Sequence, residues 1–153
     1  MKFKLTALSS FAFMLLLTSC EKEFNPAKQV EFSKTGIPMS GRNEAPANST
    51  TGSGSLDISY SRANRVLNYS FTWTGLTGNA TAMHIHGLAP EGYSVGVVQG
   101  FTGFTQAPQG SYSGQLLVDN VVVKEENLLN GLYYVNIHTL ANQGGEIRAQ
   151  IKF

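Results

Sequence analysis

The sequence predicts an all-β protein, an antiparallel Greek-key-like β sandwich of about seven to nine short strands. Three observations predict it. From Gly54 onward apolar residues recur at every second position, the period of a strand with one buried and one wet face. Stretches dense in Gly, Ser, Thr, Asn or Pro interrupt these runs at Thr50 to Ser55, Gly75 to Thr81, Gly87 to Gly92 and Asn142 to Gly145. The chain has 1 cysteine, which rules out an internal disulfide and leaves stability to packing.

Taken in chain order, the first strand is expected at Gln29 to Ser33. Leu56, Ile58 and Tyr60 then alternate with Asp57, Ser59 and Ser61. After a polar turn, Ser61 to Arg65, residues Leu67, Tyr69, Phe71 and Trp73 alternate with Asn68, Ser70, Thr72 and Thr74, so the two segments form a hairpin. Further strands are expected at Ala82 to His86, Gly96 to Gln99, Tyr112 to Val118, Leu132 to His138 and Glu146 to Lys152. Only Lys124 to Asn130, carrying Leu128 and Leu129, reads as a single helical turn, ended by Gly131. Trp73, Phe71 and Tyr69 hold the buried parity and are assigned to the core. Phe101, Phe104 and Tyr93 lie in Gly-rich loops, where they either fold down or, if exposed, offer a contact patch to a protein or glycan partner.

With 153 residues and 42% apolar content the chain fits one domain. Its start reads Met-Lys-Phe-Lys, then an apolar run from Leu5 to Leu17, then Leu17-Thr18-Ser19-Cys20. Two lysines before an apolar stretch too short to span a bilayer make a secretory signal. The last four of these residues resemble the lipobox of bacterial lipoproteins, which implies a cut before Cys20 and a diacylglycerol on its sulfur. The expected organisation is a signal peptide at 1–19, a lipidated N-terminus and polar tether with Pro26 at 20–29, and the domain at 30–153. The membrane is then a partner through the lipid on Cys20. The location is the bacterial cell envelope, on the periplasmic or outer face of the outer membrane. Removing 1–19 takes Lys2 and Lys4 out of a formal net charge of +1 and leaves −1.

The balance of charges, 11 Lys and Arg against 10 Asp and Glu, with no basic cluster, excludes nucleic acid as a partner. There is no Gly-x-Ser-x-Gly, phosphate loop or dinucleotide fingerprint, so the usual hydrolase and nucleotide chemistries lack apparatus, and the chain reads as a binding module rather than an enzyme.

The sharpest functional signal is that all 3 histidines fall in two short motifs, His84-Ile85-His86-Gly87 and Asn136-Ile137-His138-Thr139. On a strand, residues two apart share a face, so His84 and His86 stand opposite Met83 and Ile85. By the same parity Tyr134, Asn136 and His138 face away from Tyr133, Val135 and Ile137. In the last strand Glu146, Arg148 and Gln150 face away from Ile147, Ala149 and Ile151. If these strands are neighbours, one polar face gathers the imidazoles with Asn136, Glu146 and Arg148 and turns them outward. A His-x-His pair plus a third His supplies three nitrogens suited to zinc or copper, with Glu146 as a fourth ligand or as an acceptor orienting a ring. The alternative is that these side chains hydrogen-bond one another and the loops without any ion.

Four ordered segments, Ser40-Gly41-Arg42-Asn43-Glu44-Ala45-Pro46, Met83-His84-Ile85-His86-Gly87, Leu129 through Thr139, and Gly144-Gly145-Glu146-Ile147-Arg148-Ala149-Gln150-Ile151, closely resemble the CHRD domain, named from chordin. The resemblance implies an extracellular β-sandwich module with no settled biochemical activity, and marks Glu44, Pro46, His84, His86, Gly87, Tyr133, Asn136, His138, Thr139, Gly145, Glu146 and Arg148 as its characteristic positions. A weaker likeness is to copper-zinc superoxide dismutase, through His84-Ile85-His86 and Gly144-Gly145-Glu146-Ile147-Arg148. The further histidines and paired cysteines of that enzyme are missing here. Two functions are therefore expected: a lipid-anchored binding or structural module, or a mononuclear metal-binding protein or metalloenzyme using His84, His86 and His138.

Overall fold

The computed structural model describes residues 29–153, and the signal segment, Cys20 and most of the tether lie outside the described residues. Among the described residues there are eight antiparallel strands: β1 (Glu31–Ser40), β2 (Ser53–Ser61), β3 (Val66–Thr74), β4 (Ala80–Gly87), β5 (Val97–Gly100), β6 (Gly110–Leu117), β7 (Tyr133–Thr139) and β8 (Ile147–Ile151). A 3-10 turn at Gly41–Asn43 follows β1, and a short helix, α1 (Glu125–Leu129), precedes β7. The all-β reading holds, with the hairpin where alternation placed it. Ser61 pairs with Val66 at its closed end and Ser53 with Thr74 at its open end.

The strands form one curled sheet in the order β5-β4-β7-β8-β1-β2-β3-β6. Its two four-stranded halves are joined by a single residue pair, Ser40 with Arg148, so the sheet turns a corner there and closes its apolar rows on each other as a sandwich does. Leu56, Ile58 and Tyr60 of β2 and Leu67, Tyr69, Phe71 and Trp73 of β3 meet Met83, Ile85, Val135, Ile137, Ile147, Ala149 and Ile151 from the other half in one core. Phe101, just past β5, folds down into it, stacking on Tyr69 and Tyr112 at 5.2 and 5.0 Å. Phe104 packs against the same core, while Tyr93 is left exposed.

The first strand runs to Ser40, well past the expected Ser33. Gly36 and Pro38 hid this continuation, because both weaken a strand pattern. A register shift between Lys34 and Ile37 absorbs them. Gly36 takes the left-handed conformation, φ +69, and donates its N–H to Asp57 Oδ1 at 2.7 Å.

Candidate functional site

Strands β4, β7 and β8 are direct neighbours, with His84 opposite Asn136 and Asn136 opposite Arg148. The polar residues of all three therefore stand on one face, as alternation required. That face is not turned outward, however: Tyr134, Asn136, Arg148 and Gln150 are all buried. Three loops cover it. The segment after β4 supplies the carbonyls of Pro90 and Tyr93 to the Arg148 guanidinium and that of Ala89 to Gln150 Nε2. The stretch after the 3-10 turn is held by Asn48, whose amide donates to the carbonyls of Gly145 and Glu146. The β7–β8 turn contributes Gln143. Buried polar groups need partners, and these loops bring backbone carbonyls to side chains whose donors would otherwise be stranded.

The three imidazoles converge, their nearest ring nitrogens all within 4.8 Å of one another. His86 Nδ1 donates to the Val95 carbonyl at 2.8 Å, and His138 Nδ1 to the Gln143 carbonyl at 2.9 Å. A carbonyl can only accept, so both Nδ1 atoms carry a proton, and in the neutral form of either ring the inward Nε2 is then the unprotonated nitrogen. His138 Nε2 lies 3.0 Å from His84 Nδ1. Asn136 Oδ1 stands 3.0 Å from His86 Nε2 and 2.9 Å from His138 Nε2. Burial foremost, then the neighbouring imidazoles, hold His84 down to about 4. Burial likewise lowers His138, although its bond to Gln143 works the other way. A neutral His84 ring carries one proton, which on Nδ1 would donate to His138 Nε2, while Asn136 Oδ1 and the unprotonated Nε2 atoms meet as acceptors.

Around this cluster the other expected residues divide. Arg148 stacks over Tyr134 with its guanidinium carbon 3.4 Å from the ring centroid, and Tyr134 lies parallel to the His86 ring at 4.8 Å. Glu44 is buried beside Asn136 and Gly145, and its Oε1 has no hydrogen-bond partner. Burial pushes its carboxyl up to about 7 against the opposing pull of Arg148, Asn136 and the Ala45 N–H. Pro46, two residues on, is exposed and follows a cis peptide bond from Ala45. Glu146 sits elsewhere: its carboxylate accepts from the hydroxyls of Thr50, Thr77 and Thr139 at 2.6, 2.8 and 2.5 Å and from the Thr77 N–H at 2.7 Å. Thr139 has the parity of the core-facing row of β7, so this carboxylate ties loops together on the opposite side from the imidazoles. Asn136 Oδ1 is the oxygen placed beside them. The loop partners Val95, Gln143, Thr50 and Thr77 had no sequence signal, since a backbone carbonyl or a loop threonine looks the same wherever the loop folds.

A curled antiparallel sandwich carrying a buried histidine cluster under its loops defines a small all-β module of the kind built on cross-strand polar motifs. Its family is specific. The CHRD domain family matches residues 35–151, and the chain belongs to it. No curated protein and no solved structure matches the chain.

Proposed function

We propose that this chain is an envelope-tethered CHRD module that binds one transition-metal ion, zinc or copper, through His84 Nδ1, His86 Nε2 and His138 Nε2. The observation that carries the reading is the pair of Nδ1–H bonds to loop carbonyls, which orient two rings and fix the tautomer that leaves Nε2 free for a metal. Three nitrogens at bonds of about 2.0–2.1 Å sit about 3.3 Å apart in a tetrahedral set. The pair already at 3.0 Å and the 4.8 Å outer limit require only a swing of one ring. Asn136 Oδ1 or water completes the shell, and an open position of that kind is what substrate or partner donors use.

Elemental analysis of the purified chain tests this. One zinc or copper per chain is expected, and it should be lost in His86→Ala. A metal-free chain that takes up neither ion overturns the proposal.

A second reading is favoured by the orphaned Glu44 Oε1. Turning the Asn136 amide over would aim its NH2 at both Nε2 atoms and its oxygen at Glu44, whose carboxyl, pushed up to about 7, would donate. The face would then be a purely structural staple. Under either reading the Cys20 lipid holds the module at the membrane, and Cys20→Ser should move the chain from the membrane fraction to the soluble one.

A further inference from the structure

We propose that a cleft on the β1 and β8 side of the molecule binds a small organic anion with an apolar body, such as an aryl or alkyl phosphate or carboxylate. The cleft measures about 590 Å³, within the range of about 300–1,000 Å³ typical of small-molecule sites. Its charge is the unusual feature. Residues 29–153 hold seven lysines and arginines, and four of them, Lys34, Arg42, Arg148 and Lys152, line this one space. The other three, Arg62, Arg65 and Lys124, belong to the β2–β3 turn and the approach to α1.

Two carboxylates share the lining, and among the described residues they leave Lys34 and Arg42 without an ion pair. Glu91 pairs with Lys152 at 3.8 Å, with both side chains exposed. The Glu44 carboxyl lies back against Gly145 and Asn136, and its Oε1 is out of solvent. Among the described residues, the side chains of Lys34 and Arg42 form no hydrogen bond or ion pair. Both are exposed, and they rise from separate segments, β1 and the 3-10 turn. Cations converging from different elements on a concave wall concentrate their field there. Arg148 lies buried behind the wall with its guanidinium bonded to Tyr93, Pro90 and Gln150, so it adds positive charge to the cleft rather than a free donor.

Ile37, Pro38 and Phe153 supply the apolar part of the wall. A lining that combines cations with apolar side chains fits a ligand with an anionic head and an apolar body better than a bare ion. The inference uses none of the imidazoles and stands whether or not they hold a metal.

Calorimetric titration of the full chain, solubilised from membranes in neutral detergent, tests it with three probes: phenyl phosphate, inorganic phosphate and benzyl alcohol. The expected result is saturable one-to-one binding of phenyl phosphate, weaker binding of inorganic phosphate, and none of the neutral alcohol. Lys34→Gln and Arg42→Gln should each weaken phenyl phosphate about tenfold, the effect of losing one charge-assisted hydrogen bond. Arg65→Gln, outside the cleft, should leave it unchanged. Absence of saturable binding at millimolar phenyl phosphate overturns the proposal. So does an equal loss in Arg65→Gln, which would mean diffuse charge, or an equal affinity for inorganic phosphate, which would mean the apolar wall plays no part.

Discussion

Replacing Glu44 by glutamine should change how stability varies with pH, because a buried carboxyl and a half-buried imidazole titrate in opposite senses in the native chain. Burial pushes the Glu44 carboxyl from 4.5 up to about 7. The folded state therefore keeps a proton that the unfolded chain releases near 4.5, and this contribution, full at low pH, is lost as pH rises through about 7. His84 runs the other way. Burial lowers it from 6.5 to about 4, so the unfolded chain takes up a proton that the folded state refuses, and stability falls as pH drops from 6.5 toward about 4. At about 1.4 kcal/mol per pH unit, the Glu44 branch amounts to roughly 3 kcal/mol. His84 is only half-buried and solvent screens it, so its branch is about 1–2 kcal/mol, with His138 adding in the same direction. The two slopes oppose each other between pH 4.5 and 6.5, which flattens or tips the native profile downward with rising pH. Glu44→Gln removes one slope. Its stability should rise by about 1–2 kcal/mol from pH 4 to 6.5. Urea unfolding at half-unit pH steps, in chelator so that no ion occupies the imidazoles, reads the difference directly. A variant profile parallel to the native one would refute the opposing-titration argument.

Other perturbations follow from the same contacts. Arg148→Ala removes a buried guanidinium from the carbonyls of Tyr93 and Pro90 and from the face of Tyr134, and should cost about 3–5 kcal/mol in urea unfolding. Gly145→Ala should destabilise by about 2–3 kcal/mol in the same assay: its φ of +128 suits only glycine, and an added Cβ would collide with Glu44 and Asn136. Glu146→Gln exchanges an acceptor of four hydrogen bonds for an amide and should cost about 2–3 kcal/mol. It should also make stability less sensitive to acid. Although burial raises the Glu146 carboxyl, the bonds from Thr139, Thr50 and Thr77 outweigh it and hold the group below its ordinary value, so the native chain loses that stabilisation as pH falls through the carboxylate range.

How far the residues announced this arrangement depends on which rule applied. Period-two alternation from Leu56 to Trp73 fixed the hairpin, its register and its core side, because one face is apolar and the other is built of Asp57 with Ser, Thr and Asn. The same rule put His84, His86, Asn136, His138 and Arg148 on one side of the sheet. It failed on exposure. Alternation says which side of a strand a residue takes but not what covers that side, and loops 88–96, 41–48 and 140–145 bury a face that reads as wet. The Glu146 carboxylate was misdirected for a related reason: beyond the last ladder pair of β8 at Ile147, strand parity no longer governs where a side chain points. The continuation of β1 past Ser33 was hidden by Gly36 and Pro38, whose presence a bulge accommodates at the cost of only a local register shift.

Zinc-edge X-ray absorption on the chain loaded with one equivalent of zinc tests the central claim most directly. Imidazole nitrogens at about 2.0–2.1 Å, with the outer-shell scattering of intact rings falling by one ring in His138→Gln, are what a three-histidine centre gives. A first shell of oxygens alone, unchanged by that substitution, would mean the rings bind one another and not an ion.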